Sequence, residues 1–326
     1  MRQRLLMLLT VLSILVIIAC ASFWAFSYTM RAETHVRYTG MANLVSEKLS
    51  KTIRGMEMNA RNVFDEVGKH LETPESVMAA LESKSSLNPD VNGYFAAFRP
   101  DYFKQKGRWF EPYIHRSDTK GYEMSQVGSA RHDYTKSSWY IQAEKETKGF
   151  WSEPYYYYDG TSISGHYCTY VQPIVDKEGE IVCVCGADIT LEWLSAELAK
   201  IDDAIMADEV LNQYRLQRDL DFYTVVIDDD GSCIVHPEGK NVPIKDKTVL
   251  KAMEQRKSGS FDMDVEGEHA LIYYAPIADI DWSVAVVVPA QDAKQPIRLM
   301  AVALFVLVLI GSLVVWFVIG RYAKNS

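Results

Sequence analysis

The residue types that most often carry out chemistry are present, but their spacing does not form a catalytic or metal site. The seven histidines are scattered, with no His-Glu-x-x-His motif and no close pair, so the ligand spacing of a zinc site is missing. The acidic run at 228–231 lacks the remaining ligands of a calcium loop and is more typical of a solvated turn. No Gly-x-Ser-x-Gly elbow, phosphate loop or dinucleotide fingerprint occurs. The sequence therefore predicts a protein that is not an enzyme and uses neither metal nor cofactor.

The cysteines are more typical of a buried core than of a reactive site. Cys183 and Cys185 lie two residues apart in an apolar run, so both side chains would point to the same face of a buried strand. The sequence favours free thiols there, although an oxidising compartment would permit disulfides. The disulfide state stays open for the four cysteines beyond Cys20: Cys168, Cys183, Cys185 and Cys233.

Two uncharged apolar segments enclose most of the chain. No charged residue occurs between Arg4 and Arg31, a gap of 26 residues, or between Arg298 and Arg321, a gap of 22 residues. A helix needs about 20 apolar residues to cross the hydrocarbon core of a bilayer. Both segments are therefore predicted to span a membrane, which leaves residues 31–298 as one large segment held at both ends.

The charges at the two ends predict which side of the membrane this segment occupies. Arg2 and Arg4 precede the first span, Arg321 and Lys324 come after the second, and basic residues in short flanks favour the cytoplasm. The chain carries −9 and each end +2, which leaves −13 for residues 31–298. We therefore expect cytoplasmic termini, an extracytoplasmic middle segment at the cell inner (plasma) membrane, and no nucleic-acid partner.

One alternative for the N-terminus stays open. Residues 17–20, Ile-Ile-Ala-Cys, resemble the cleavage box of a bacterial lipoprotein after a charged start and an apolar run. A lipoprotein usually turns polar after its cysteine, whereas residues 21–28 stay apolar and end in aromatic residues suited to a membrane interface. This composition favours a spanning helix in which Cys20 is a small apolar residue.

After the first span the sequence predicts one long helix. Apolar residues recur in steps of three and four along residues 41–71, which places one stripe on a helix over 32–72. The stripe is longer than one short module can cover, so we expect it to act as a stalk and as the seam of a homodimer. The simpler alternative is that the stripe packs on its own domain, and both can hold on different parts of the helix. Thr73 and Pro74 are predicted to end this helix and to cap a short one over 74–83.

The remaining segment alternates between strand and helix signals in two modules, so the predicted fold class is α+β. Strands of the first module are predicted at 91–98, 111–116, 165–174 and 181–187, with helices at 138–145, 191–201 and 207–220 and a loop at 117–136. Strands of the second are predicted at 223–227, 232–236, 259–264, 270–275 and 282–288, with a helix within 244–255.

A series of motifs in this segment resembles a known family. The motifs are Asp133-Tyr-Thr135, Trp139-Tyr140, Trp151-Ser-Glu-Pro-Tyr155, Tyr170-x-x-Pro173 and Gly186-Ala-Asp188-Ile-x-Leu191, then Asp230-Gly231, His236-Pro237, Tyr273-x-Ala-Pro276 and Trp282-Ser-Val with Val288-Pro289. With the long helix and the two spans, their order resembles the double Cache (dCache) extracytoplasmic sensor domain of bacterial transmembrane receptors over about residues 30–298. The resemblance implies a long N-terminal helix and two PAS-like antiparallel-sheet modules, flanked by two transmembrane helices.

The resemblance and the element order together imply a domain organisation. The expected units are the cytoplasmic start with the first span at 1–30, the stalk or dimer helix at 31–73, the membrane-distal module at 74–220, the membrane-proximal module at 221–297, the second span at 298–320 and the start of a cytoplasmic linker at 321–326. Family members feed chemoreceptors, kinases, cyclases or phosphatases. The implied partner is thus a cytoplasmic output module, such as HAMP with a kinase, phosphatase or chemotaxis domain, and Arg321 resembles the start of a HAMP linker.

The resemblance also implies a ligand site in the distal module. Carried over motif by motif, its residues are Trp139, Tyr140, Tyr155, Tyr167 and Asp188. Aromatic side chains supply apolar walls and a cation-binding face, and a carboxylate among them can hold an ammonium group. The alternative roles are core packing for Trp139 and a helix cap before Leu191 for Asp188.

One departure from the family pattern changes the expected ligand. The amino-acid-binding branch places an arginine two residues before its Trp-Tyr pair, where it holds the ligand carboxylate, and that position is Ser137 here. Lys136 and Arg131 are near in sequence and could replace it. The departure favours a small amine or a neutral ligand over an α-amino acid. Because residues of a strand alternate in direction, at most two rings of residues 155–158 can face a pocket.

The leading hypothesis is an extracytoplasmic small-molecule sensor of a transmembrane signalling receptor, which transmits ligand binding through the second span. The alternative is a membrane-anchored binding or accessory protein without its own output, and an extracellular hydrolase would need catalytic residues that the sequence lacks. The six residues after Gly320 are too few for an output domain. We therefore expect the chain to be a fragment, and the reading frame beyond Ser326 would distinguish the receptor hypothesis from the accessory-protein hypothesis.

Overall fold

The computed structural model describes residues 2–117, 121–146, 148–158, 163–207, 222–239, 243–265, 267–278 and 280–324. Within these ranges the α-helices are α1 (Arg2–Lys69), α2 (Pro74–Lys84), α3 (Ser138–Ala143), α4 (Leu191–Ala207), α5 (Lys247–Glu254) and α6 (Ala290–Lys324). Nearly all of the helix predicted over 207–220 lies outside the described residues.

The strands form two antiparallel sheets, which confirms the α+β class. The strands are β1 (Gly93–Phe98), β2 (Pro112–Ser117), β3 (Gly121–Gln126), β4 (Phe150–Trp151), β5 (Tyr155–Tyr158), β6 (Ser164–Val175), β7 (Ile181–Thr190), β8 (Tyr223–Ile227), β9 (Cys233–Val235), β10 (Gly259–Val265), β11 (Glu268–Pro276) and β12 (Ser283–Pro289). The first sheet has the order β3-β2-β1-β7-β6-β4, with β5 also paired to β6, and the second has the order β10-β11-β12-β8-β9. We call them the distal and the proximal sheet.

The first helix is longer than the sequence indicated. The first apolar segment and the predicted long helix form one continuous helix of 68 residues, Arg2–Lys69. The capping of α2 is as predicted. The Thr73 side chain accepts a hydrogen bond from Ser76 N, the Ser76 side chain accepts one from Thr73 N, and Pro74 is the first helical residue.

The expectation of a loop over 117–136 is wrong in part, because β3 occupies residues 121–126 of it. This strand lies at the edge of the distal sheet, where it pairs only with β2 among the described strands. Its side chains are half-buried or exposed, so it needs no alternation of apolar and polar residues. The pattern that marks a half-buried strand is therefore missing from its sequence.

The apolar stripe of α1 is covered by its own sheets, which corrects the expectation that it forms a homodimer seam. Leu49, Ile53 and Met56 are fully buried, in one core with Cys185 of the distal sheet and Tyr273 of the proximal sheet. The two sheets pack at different heights of the helix and together cover more of the stripe than one module would. The simpler alternative, that the stripe packs on its own domain, is the correct one.

Polar contacts hold α1 against both sheets. On the proximal side Ser46 donates to the carbonyl of Pro276 at 2.6 Å, and Ser50 Oγ accepts from the backbone N–H of residue 278 at 2.8 Å. On the distal side Trp151 Nε1 donates to Glu57 Oε1 at 2.8 Å. The helix is thus in direct polar contact with both sheet regions.

Among the described residues, two helices are long and apolar enough to cross a membrane. The segments are Leu9–Lys69 and Ala290–Val318, and the most apolar stretch of each has no buried residue. Leu15 and Gly311 face each other where α1 and α6 pack together. Length and composition thus allow both predicted spans.

Candidate functional site

The distal module contains a cavity of about 880 Å³. It is bounded by β1, β2, β5, β6 and β7, by residues 125–132 and by the start of α3. Of the five predicted site residues, four line this cavity, and they come from four separate parts of the chain: Trp139, Tyr155, Tyr167 and Asp188. The fifth, Tyr140, does not line it. A volume of this size is within the range of small-molecule sites.

Asp188 lies on β7 between the two neighbouring strands of the distal sheet. The register places it opposite Gly93 of β1 and opposite Thr169 of β6. Thr169 Oγ1 donates a hydrogen bond of 2.6 Å to Asp188 Oδ1. Because that hydroxyl proton is used, the Tyr155 hydroxyl donates to Thr169 Oγ1, at 2.8 Å. The aspartate is thus the acceptor at the end of a short chain of hydroxyl groups.

The Asp188 carboxyl is buried, and its electrostatics fit a binding role. Asp188 is only 6 % exposed, and its carboxyl forms no ion pair with any residue that the structure describes. Burial raises the pKa of Asp188 to about 6, while the hydrogen bond from Thr169 and the nearby hydroxyl groups of Tyr113 and Tyr155 oppose the rise. At neutral pH the cavity therefore holds a buried negative charge that a cationic ligand would compensate.

The alternative that Asp188 caps the following helix does not describe this structure. The cap position of α4 is Thr190, whose Oγ1 accepts a hydrogen bond from Trp193 N at 3.0 Å. The Asp188 side chain is bonded instead to Thr169, across the sheet. Its carboxylate is available to the cavity rather than to the helix.

Aromatic rings form the walls of the cavity beside Asp188. The Trp139 ring packs against Phe95, with 4.9 Å between the ring centroids. Phe95 lies directly over Gly186, where any side chain would overlap its ring, and Tyr113 lies over Gly93 in the same way. The two glycines therefore let large rings approach the sheet next to the aspartate. Such rings supply apolar walls and a face that attracts cations.

Tyr140 is placed in the core rather than at the cavity. It is buried between Tyr134 and Trp139, at ring-centroid distances of 5.5 and 5.8 Å. The short helix α3 turns Trp139 toward the cavity and its neighbour away from it. The position of Tyr140 supports a packing role, and its predicted ligand contact gains no support from this geometry.

The tyrosine run of β5 alternates as its extended conformation requires. Tyr156 and Tyr158 are exposed, whereas Tyr155 and Tyr157 are partly buried, so burial alternates as predicted, although all four tyrosines border the cavity. The Tyr155 ring lies 6.3 Å from the Tyr167 ring of the paired strand. These two predicted residues are therefore neighbours on one wall.

The two basic residues considered as replacements for the family arginine differ in position. Ser137 and Arg131 both line the cavity. Lys136 does not, since its ammonium group pairs with Asp133 Oδ2 at 3.2 Å and is well exposed. Of these two basic residues, only Arg131 is placed to bind a negatively charged group of a ligand. Its side chain is exposed at the cavity.

Sequence reasoning missed several residues of the cavity. Glu111 lies just before β2 and is only 3 % exposed, and His132 Nε2 is 3.5 Å from its Oε2 atom. Phe95 and Tyr113 were noted only as strand residues. Each lies in a strand or loop with no local signal of its role, because only the pairing of β1, β2 and β7 brings them beside Asp188.

The cysteines are free in this structure. Cys183 and Cys185 are buried in β7, with 4.0 Å between their sulfur atoms, which confirms the prediction of core thiols. Burial raises the pKa of Cys185 well above its ordinary value, so the thiol is neutral and unreactive. These residues contribute packing rather than chemistry.

Comparison with known proteins places this cavity in a sensor domain. Residues 77–196, which include every cavity residue named above, match the family described as methyl-accepting chemotaxis protein-like, first PDC sensor domain. No curated protein matches the chain.

Solved structures share the fold over most of its length. The extracellular domain of mmHK1S-Z3, a protein assigned as a histidine kinase, has a TM-score of 0.64 and 18% identity, covering 81% of this chain and 97% of that one. The periplasmic sensory domain of the Campylobacter jejuni chemoreceptor Tlp1 has a TM-score of 0.62 and 15% identity, covering 82% and 99%. The ligand-binding domain of the Pseudomonas fluorescens chemoreceptor CtaA, solved with L-isoleucine, has a TM-score of 0.56 and 16% identity, covering 82% and 97%.

The family match and the shared fold agree with each other. Residues 77–196 match a PDC sensor-domain family, the fold is shared with solved sensor domains, and the resemblance to Cache sensors drawn from the motifs is confirmed.

Proposed function

We propose that this protein is the extracytoplasmic small-molecule sensor region of a transmembrane signalling receptor, and that its ligand carries an amino group. The observation that supports this most directly is the buried Asp188 carboxylate at the wall of the cavity. A buried charge is stable only with a partner. An ammonium group would supply that partner, and the surrounding rings of Trp139 and Tyr155 would hold its apolar part.

The comparisons favour an organic ligand of modest size. CtaA was solved with L-isoleucine, and the ligand-binding domain of the Campylobacter jejuni chemoreceptor Tlp3 was solved with L-norvaline. In this chain the position expected to hold a ligand carboxylate is Ser137, and Arg131 lies at the cavity instead. A simple amine therefore needs no further partner than Asp188, whereas an amino acid would have to engage Arg131.

The pH dependence of binding is set by the Asp188 carboxyl. Burial raises its pKa to about 6, so its charge is lost as the pH falls through that value. An amine with an ordinary high pKa stays charged over the same range. Its affinity is therefore expected to fall as the pH is lowered from 7.5 to 5.

The connection between the proximal sheet and the second apolar helix offers a route for the signal. β12 is a central strand of that sheet, and it ends at Pro289, directly before α6 begins at Ala290. A displacement of α1 by the distal sheet would move the proximal sheet, to which α1 is hydrogen-bonded, and, through β12, the helix α6. We propose that α6 carries this displacement across an inner membrane to a cytoplasmic output module such as HAMP with a kinase, phosphatase or chemotaxis domain.

A homodimer remains part of the proposal, but through a different face of α1. Val36 and Met58 are 71 % and 64 % exposed, and they are 22 residues apart, about six helical turns. They therefore lie on one side of the helix, away from the stripe that the sheets cover. This exposed side is the surface that α1 can offer to a second copy.

A binding screen tests the proposed ligand class. The full chain, reconstituted in lipid nanodiscs, would be titrated calorimetrically with alkylamines, amino acids and matched carboxylic acids. The proposal expects heat of binding from amines and none from the carboxylic acids. Binding of carboxylic acids without binding of amines would refute the assignment of the cavity to an amine.

A further inference from the structure

Glu111 is a second buried carboxyl in the cavity that holds Asp188. Its Oε2 atom receives no hydrogen bond from the residues that the structure describes, although it is buried. His132 Nε2 lies 3.5 Å away, beyond good hydrogen-bond geometry, and burial lowers the pKa of His132, so the ring is largely neutral at neutral pH. Buried polar atoms nearly always have a hydrogen-bond partner. The missing partner of Glu111 is therefore expected to arrive with the ligand.

The two carboxyls are near enough to influence each other. Burial raises the pKa of Glu111 well above its ordinary value, and the Asp188 charge raises it further. Without a ligand, Asp188 is therefore expected to lose its proton before Glu111 does as the pH rises. A ligand with one amino group would compensate Asp188 and leave Glu111 as it was. A second amino group beside Glu111 would give its carboxyl a charged partner and favour the loss of its proton.

We propose that Glu111 is a second ligand-binding carboxyl, so that the cavity takes a small molecule with two amino groups, one at Asp188 and the other at Glu111. This inference rests on the proposed function, since it takes amine binding at Asp188 as given. The cavity volume of about 880 Å³ leaves room for a chain of several carbon atoms between two such groups. Arg131, which is exposed at the cavity, disfavours a third cationic group nearby.

The test compares a diamine with a monoamine of the same carbon length. Calorimetric titration of the full chain in nanodiscs with 1,5-diaminopentane and with pentylamine should show at least about tenfold tighter binding of the diamine, because a charge-assisted hydrogen bond is worth roughly that factor. Glu111→Gln keeps the size and removes the acid, so the ratio of the two affinities should fall to about one. Glu82→Gln, on the exposed side of α2, is the matched control and should keep the ratio of the unaltered protein.

A second measurement needs no variant and covers the case in which Glu111→Gln does not fold. Titrations in two buffers of different ionisation enthalpy report protons released on binding. The diamine should release more protons than pentylamine, because only the diamine ionises Glu111. Equal affinities for the two amines, equal proton release, or an unchanged affinity ratio in folded Glu111→Gln would overturn the role of Glu111 while leaving amine binding at Asp188 in place. Absence of binding by both amines would overturn the proposed function itself.

Discussion

Asp202 of α4 accepts a hydrogen bond from Thr224 of β8, with 2.7 Å between Thr224 Oγ1 and Asp202 Oδ2. The helix comes after the last strand of the distal sheet, and β8 belongs to the proximal sheet, so this bond joins the two modules. The second carboxyl oxygen, Oδ1, is buried without a hydrogen bond among the described residues. Burial raises the pKa of Asp202 to about 6. The junction between the modules therefore contains an acid that resists ionisation.

This acid makes the stability of the junction depend on pH. Because the pKa is higher in the folded than in the unfolded state, Asp202 contributes stability at low pH and loses that contribution as the pH rises through 6. Asp202→Asn mimics the neutral acid and can still accept from Thr224. We expect it to raise the free energy of unfolding by roughly 2 kcal/mol at pH 7.5 and by less than half of that at pH 4.5.

Thermal unfolding of the full chain in detergent micelles at both pH values measures this effect. Asp203→Asn, at the exposed neighbouring position, is the matched control and should leave the melting temperature nearly unchanged at each pH. A loss of stability of the same size at pH 4.5 and pH 7.5 would show that the Asp202 side chain acts through its shape rather than its charge.

Much of the fold could be predicted from local patterns. Alternation of apolar and polar residues marked β6, a continuous apolar run marked β7, and the residue pair Thr73 and Pro74 marked the start of α2. β3 was missed because an edge strand has no buried face that forces such alternation. The surface that the α1 stripe packs against could not be predicted from the spacing of its residues, because the same stripe can pack against a partner helix or against two sheets.

The residues of the candidate site also fall into those that the sequence could predict and those that it could not. Asp188, Trp139 and Tyr155 carry motifs that recur at fixed spacing, so sequence could name them. Glu111 has no such motif, and its place beside Asp188 results from the pairing of β2 with β1 and of β1 with β7. Whether the Tyr140 side chain points to the cavity or to the core depends on the rotation of the short helix α3 about its axis. The neighbouring residues in the sequence do not determine that rotation.

The exposed side of α1 predicts where two copies would meet. In membranes, Met58→Cys should form a disulfide-linked dimer on mild oxidation, because Met58 is 64 % exposed. Met56→Cys, two residues earlier and fully buried against the sheets, is the matched control and should not. Gel migration without reductant distinguishes the two. Cross-linking at Met56 but not Met58 would contradict the assignment of the helix faces.

The topology of the chain predicts which positions are open to reagents outside the cell. With the native cysteines replaced, a cysteine at Lys104, which is exposed in the distal module, should react with a membrane-impermeant maleimide in intact cells. A cysteine at Ser326 should react only after the membrane is permeabilised, because basic flanks favour the cytoplasm. Equal labelling of the two positions in intact cells is incompatible with the proposed topology.

Gly186 is expected to be required for the shape of the cavity. A side chain at this position would overlap the Phe95 ring and approach Thr169 Cγ2 to 2.8 Å. Gly186→Ala should therefore destabilise the protein by about 1–3 kcal/mol and weaken amine binding, since Phe95 must move. Gly40→Ala, in the interior of α1 with no atom within 4 Å of the added carbon, should be neutral or stabilising by up to about 1 kcal/mol. Chemical denaturation and calorimetric titration compare the two, and an unaltered cavity affinity in Gly186→Ala would count against this account.

The most direct test of the central claim is the thermal stabilisation of Asp188→Asn by an amine. A ligand at 100 times its dissociation constant stabilises the folded state by about 2.7 kcal/mol, which corresponds to a rise of several degrees in melting temperature. The experiment measures that rise for the full chain, for Asp188→Asn and for the control Asp203→Asn. The account predicts that Asp188→Asn melts at or above the temperature of the unaltered protein without ligand and loses the amine-induced rise, while the control keeps it. An undiminished rise in Asp188→Asn, or a much lower melting temperature of this variant without ligand, would contradict the assignment of Asp188 as the group that holds the ligand.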